Sequence, residues 1–191
     1  MRAGWTFFLL LTVLFSCNER EYTNKDVIDN YEKKQKEITE LKNYYNSIVP
    51  KNKFVEIEFD GNNHLFRLGI YSIDTVTKQL VLPGFLEWDL NTHSNKVLDA
   101  IENVGWNQQT LKTIKQKLDD ADCISIESGE PIKIGFQRRS LGKYYYLVFG
   151  KPLSDSLKTF YNRYCAYSLY NDKVVFEWGA GAIGSGCYPS N

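Results

Sequence analysis

Pairs of alternating segments joined by short turns constrain this chain more than any other feature. In Phe54 to Phe59, the residues Val55, Ile57 and Phe59 share one face; in Leu65 to Tyr71, Phe66, Leu68 and Ile70 share another. Period-two alternation marks strands with one buried face. A turn at Asn62-Asn63 sets Phe59 against Phe66, Ile57 against Leu68 and Val55 against Ile70, so every apolar residue meets an apolar partner. Asparagine tolerates the positive φ that such a turn demands. A three-stranded meander repeats the pattern. Ile124 and Ile126 alternate with Cys123, Ser125 and Glu127, and Ile132, Ile134 and Phe136 alternate with Lys133, Gly135 and Gln137. Tyr144, Tyr146 and Val148 share a face of the third strand. A loop at Glu127 to Pro131 pairs Ile126 with Ile132, and one at Arg138 to Gly142 pairs Phe136 with Tyr144. A last hairpin turns at Asn171-Asp172, pairing Leu169 with Val174, Tyr167 with Phe176 and Cys165 with Trp178. Residues 72–91 read either as an edge strand broken at Pro83 or as a loop packed on the core.

Helical periodicity fills the intervals. Thr23 and Asp26 form an acidic capping box, and a helix runs on to about Ser47 with Tyr31, Ile38, Leu41, Tyr45 and Ile48 on one face. Pro50 ends it. Ser94 to Asn103 carries Val97, Leu98 and Ile101, with Gly105 suited to its C-terminal cap. Asn107 caps a helix through Leu111, Ile114 and Leu118, and Ser154 a short one through Leu157 and Phe160. The expected order is α-ββ-αα-βββ-α-ββ. Hairpins and meanders without βαβ alternation predict an α+β fold, an antiparallel sheet with helices packed on it.

The amino terminus is of another kind. Arg2 precedes an apolar run, Trp5 to Phe15, of signal-peptide length and too short to span a bilayer. Leu14-Phe15-Ser16-Cys17 at its end resembles the lipobox of bacterial lipoprotein signal peptides. That resemblance implies acylation of the Cys17 sulfur, cleavage before it, and acylation of the new amino terminus. Residues 1–16 are then a signal peptide, 17–23 a lipidated cysteine with a short polar tether, and 24–191 a single α+β domain. Each buried acyl methylene contributes about 0.8 kcal/mol, so two or three chains anchor stably. An ordinary secretory signal and an uncleaved anchor are the alternatives. Asn18 stands where enteric-type lipoproteins retained in the inner membrane carry Asp, so the resemblance points to the outer membrane of the cell envelope.

Basic and acidic residues balance at 23 each, and Arg2 leaves with the signal. Without a basic excess, nucleic acid is not an expected partner. Aromatics make up 15% of the chain, which suits a sheet and also an interface. An envelope location permits disulfides. Cys165 with Cys187 is the preferred bridge, closing a loop of about 22 residues; Cys123 with either is the alternative.

Chemical motifs are weak. Gly179-Ala180-Gly181-Ala182-Ile183-Gly184 matches G-x-G-x-x-G but leaves no room for the helix that would hold a pyrophosphate, so no nucleotide cofactor is expected. No zinc-type spacing of Cys and His appears, and no metal is expected. His64 and His93 read as surface or capping residues. The carboxylate pairs Glu56/Glu58 and Glu127/Glu130 read as a solvated sheet face and a turn. The strongest cluster is Arg138, Arg139 and Tyr145: two arginines at a hairpin top beside a tyrosine on the non-core face, residue types typical of interface anchors. The expectation is an anchored envelope module, accessory or inhibitor-like, that binds a protein or polysaccharide partner. An envelope hydrolase with a dispersed site is the alternative, and self-assembly through the Tyr31-to-Ile48 stripe is a third reading. A deep pocket gathering His64 or His93 with carboxylates would favour the hydrolase, and a flat aromatic patch the binder.

Overall fold

The computed structural model describes residues 22–74, 76–77, 79–139, 141–179, 181 and 186–189. Cys17, the signal segment and most of the tether lie outside these, as do Ala180, Ala182, Ile183 and Gly184 of the glycine motif. In chain order the elements are α1 (Asn24–Lys33), α2 (Gln35–Ile48), β1 (Lys53–Phe59), β2 (His64–Ile73), β3 (Leu80–Asn91), α3 (Asn95–Glu102), α4 (Gln108–Asp120), β4 (Ser125–Glu127), β5 (Ile132–Arg139), β6 (Gly142–Val148), α5 (Asp155–Arg163), β7 (Tyr167–Asn171) and β8 (Val174–Gly179). The fold is α+β. The strands make one eight-stranded sheet in the order β3-β2-β1-β4-β5-β6-β8-β7, antiparallel at every pair.

Helices α1 to α4 cover one face. Their apolar stripes meet the inward residues of the strands in a single core that runs from Val27 and Tyr31 through Val55, Ile57 and Leu68 to Tyr144, Tyr146 and Phe176. Tyr31, Ile38, Leu41 and Tyr45 are all buried in it. The stripe that offered self-assembly is therefore consumed by the chain's own sheet. On the opposite face α5 covers one end only, where Tyr161 packs on Leu147, Phe149, Leu153 and Val175. Leu157 and Phe160 of this helix are exposed.

Local chemistry sets the helix ends. Thr23 and Asp26 form both halves of the capping box, and Ser94, Asn107 and Ser154 each accept a backbone N–H at the next N-termini. The first helix is not continuous, however. It breaks at Lys34 (φ −113°, ψ 18°). From there Lys34 Nζ donates to the Asp120 carbonyl (2.7 Å) and stands 3.6 Å from the Asp122 carboxylate. One ammonium thus serves the C-terminus of α4, whose acidic residues the helix dipole alone would disfavour.

Strand registers depart from the simplest pairing wherever a residue bulges out. Ile57 faces Leu68 and Val55 faces Ile70, but the ladder slips after Glu58, so Phe59 faces Leu65 rather than Phe66. The positive φ of the turn falls on Gly61, not on Asn62 or Asn63. Ile126 faces Ile134, two residues beyond Ile132 and on the same face. Strands β5 and β6 slip by one between Gly135 and Arg138, then pair as far as Arg139 with Gly142, so both arginines belong to a strand and not to a loop. In the last hairpin Leu169 faces Val175 and Tyr167 faces Glu177, a shift accommodated between Leu169 and Asn171. That shift places Tyr167 and Leu169 beneath α5, while Tyr170 joins the main core. Leu80–Asn91 is a strand at the sheet's edge, with Pro83 opposite Tyr71 at a register irregularity. An edge is where a missing N–H is tolerated.

Cys165 and Cys187 are bridged across a separation of 22 residues, a closure contributing about 3 kcal/mol in the chain-entropy model. It ties the carboxyl-terminal tail to the start of β7. Cys123 is the free thiol, and it is buried. Burial pushes its pKa up, so it is held as an inert thiol.

Candidate functional site

The uncovered face of the sheet carries ionisable side chains where a solvated face was expected. Alternation brings Glu56 and Glu58 of β1, Arg67 and Tyr71 of β2, Ser125 and Glu127 of β4, Lys133 of β5, Lys143 and Tyr145 of β6 and Glu177 of β8 to this side. They interlock. Glu58 Oε1 accepts from Arg138 Nε (2.9 Å) and Oε2 from Lys143 Nζ (2.7 Å). Lys143 also donates to Ser125 Oγ (2.9 Å). Glu56 Oε1 accepts from the Tyr71 hydroxyl (2.8 Å) and lies 2.7 Å from Arg67 Nη2. Lys133 donates to Glu177 (2.9 Å). Glu58 and Lys143 are only 5% and 6% exposed, so this pair is buried in the sheet face that α5 covers at one end only.

Two glycines make the network possible. A Cβ on Gly135 would stand 2.1 Å from Ser125 Oγ and 3.1 Å from the Lys143 side chain; one on Gly69 would stand 2.5 Å from Glu56 Oε1. The long charged side chains of the neighbouring strands lie flat across these positions. Above them, aromatic rings and cations stack. Lys133 and Lys143 sit 4.0 and 4.7 Å from the Tyr145 ring, the Arg138 guanidinium is 4.1 Å from Phe66, and that of Arg67 is 5.6 Å from Trp88. Each such contact is worth about 0.5–2 kcal/mol, more as it is desolvated.

Beside this network runs a groove of about 1100 Å³, whose walls include Arg67, Trp88, Arg138 and Tyr145. The bulge at Phe66 is what aims that ring outward, and it is 38% exposed. Of the three residues expected to form a partner surface, the structure brings two together. Arg138 and Tyr145 both line the groove. Arg139, its neighbour in an alternating strand, donates to the Tyr144 hydroxyl (3.3 Å) and takes no part in the lining. Tyr145 is half-buried rather than open, and burial pushes its hydroxyl pKa up.

Carboxylate pairing differs from the expectation as well. Glu130 is elsewhere, accepting the Gly150 N–H (2.8 Å). The pair that forms is Glu56 with Glu127, direct cross-strand partners. Like charges so placed repel. Glu56 is held by Arg67 and Tyr71, whereas the Glu127 pKa is raised, chiefly by burial, with Glu56 and Glu177 adding to it and Lys133 and Lys143 opposing. A carboxyl whose pKa is raised beside a second carboxylate is raw material for acid–base chemistry. Yet the space beside them is about 10 Å³, room for one water at most. His64 pairs with Asp89 (2.7 Å) at the sheet's edge, and His93 contacts Thr92 (3.1 Å); neither lines the groove.

The Glu127 environment predicts a pH effect. As pH rises past the ordinary carboxyl range, the unfolded chain gives up this proton before the native state does, so folding loses stability. Glu127→Gln removes that loss. The variant is expected to match the parent in acid and to exceed it increasingly toward neutral pH, read from urea midpoints across that range.

No protein-family model matches the chain, and neither a curated protein nor a solved structure is significantly similar to it.

Proposed function

We propose that the chain is a lipid-anchored module of the bacterial cell envelope, held at the outer membrane through Cys17, which binds a partner in the groove of its open sheet face. The observation that carries the binding half is the construction of that groove. Arginines stacked on half-exposed aromatic rings form its walls, and Glu58, Lys133, Arg138 and Lys143 along it are engaged in ion pairs. Arg and Trp supply much of the energy at interfaces because they combine area, charge and limited flexibility. The hydrolase alternative needs a cavity joining a base to a carboxylate; the histidines lie outside the groove, and the Glu56–Glu127 pair has no substrate space beside it.

Anchor and groove belong together. Tyr22 lines the groove and follows Cys17 by five residues, a span of at most about 18 Å when extended. The module therefore works close against its membrane, where ligands borne by the envelope are concentrated.

Two measurements test this. Cys17→Ser is expected to move the chain from the membrane pellet to the soluble fraction of lysed cells; retention in the pellet would sink the anchor. A photo-crosslinking residue at Phe66 is expected to give an adduct in intact cells, and one at the exposed Lys112 on the helical side is not. Equal yields at both positions, or none at either, would remove the groove as the binding surface.

A further inference from the structure

Resting on the binding reading above, we propose that the groove's ligand is an acidic glycan. Charge complementarity is the first argument. The lining contains the cations Arg67, Lys133, Arg138 and Lys143 against the anions Glu58 and Asp60. Glu56 and Glu177, which pair with Arg67 and Lys133, do not belong to the lining. The network is balanced as a whole, but the surface it turns to a ligand is positive. The Arg67 and Arg138 side chains are 37% and 39% exposed, against 9% and 7% for the glutamates they pair with, and a carboxylate suits the guanidinium fork.

The floor's chemistry separates a glycan from an acidic peptide. The β1, β2, β5 and β6 strands beneath the groove each lie between two hydrogen-bonded neighbours, so a ligand laid across them finds no open strand edge to join. An extended peptide laid here would bury its own N–H and C=O groups without the ladder that strand addition supplies. A glycan has no such obligation. Its carboxylates meet Arg67 and Arg138, its hydroxyls meet Asp60 and Gln137, and the C–H faces of its rings lie on Trp88 and Phe66. At about 1100 Å³ the groove matches the upper end of the ~300–1000 Å³ of ligand sites, room for more than one sugar ring.

The test is titration of the full-length chain in mild detergent with polygalacturonate, with the same polymer after reduction of its carboxyls to neutral alcohols, and with poly-glutamate. Polygalacturonate is expected to bind, and the reduced polymer to bind about ten-fold more weakly or not at all, the effect of losing a charge-assisted contact. Arg138→Gln and Trp88→Ala are each expected to weaken polygalacturonate by about ten-fold. Arg138→Gln leaves Lys143 on Glu58, and Trp88 is half exposed, so both variants are expected to stay folded, read as a cooperative thermal transition. If Arg138→Gln does not fold, Trp88→Ala decides alone. Poly-glutamate binding as tightly as polygalacturonate overturns the glycan in favour of an acidic peptide, and absence of polygalacturonate binding overturns it outright. In either case the Phe66 cross-link reports separately whether the groove binds anything.

Discussion

Glu58→Ala is expected to lower stability by about 3–5 kcal/mol, the usual cost of removing one partner from a buried ion pair. Its two oxygens accept from Arg138 and Lys143, and the loss strands both cations. Arg138 is partly exposed and can turn to water. Lys143 cannot, because it is 6% exposed and, among the described residues, would keep only Ser125 Oγ as an acceptor. Burial already lowers the Lys143 pKa, and Glu58 opposes that lowering. Without Glu58 the folded-state pKa falls further. A group depressed in this way destabilises the native state while it is charged, and the penalty fades as pH rises through its folded-state value. The defect should therefore be largest at neutral pH and shrink in alkaline buffer, as read from urea midpoints. Glu58→Ala combined with Lys143→Met is expected to be more stable than Glu58→Ala alone, because the double variant buries no unpaired charge. A double variant weaker than the single one would show that the network stabilises by more than mutual compensation.

This network was not legible in the sequence, and the reason is topological. Strand β4 is inserted between β1 and β5, so Glu56 meets Glu127 and Lys143 reaches Glu58 across 85 residues. No hairpin arithmetic joins segments so far apart. Most elements are clear when read alone, although residues 72–91 read equally as strand or loop and nothing local marks the helix break at Lys34. Thr23, Ser94, Asn107 and Ser154 act through the N–H groups next to them, and alternation in β1, β5 and β6 separates the buried face from the open one correctly. What local reading misses is the single slipped residue. One slip turns Phe66 out toward Arg138, another carries Arg138 from an expected loop onto the open face, and a third sends Tyr167 beneath α5. Slips of this kind respond to twist and to packing across the whole sheet. Gly69 and Gly135 were a legible sign in retrospect. A glycine inside an otherwise strong strand marks a close approach, and here what approaches is the charged side chain of the adjacent strand.

Tyr146→Ala is the other substitution expected to cost about 3–5 kcal/mol, the range for deleting a large buried aromatic. Tyr146 is fully buried and its ring lies 5.4 to 5.9 Å from those of Tyr31, Phe136 and Phe176. Its hydroxyl donates to the Val27 carbonyl (3.0 Å) and accepts from Asn30 Nδ2 (3.1 Å). This one side chain thus fastens α1 to the middle of the sheet by packing and by hydrogen bonding. The two contributions separate in a pair of variants. Tyr146→Phe keeps the ring and leaves the Val27 carbonyl without this donor, an expected cost of about 1–2 kcal/mol; Tyr146→Ala adds the cavity. Because Tyr22 lies two residues before α1 and lines the groove, loosening α1 should also disturb the groove wall nearest the anchor. Hydrogen exchange is expected to show Tyr146→Phe raising protection loss in α1 first, with β5 and β6 little changed. Uniform loss across the sheet would mean that α1 does not open on its own and that Tyr146 acts through the core as a whole.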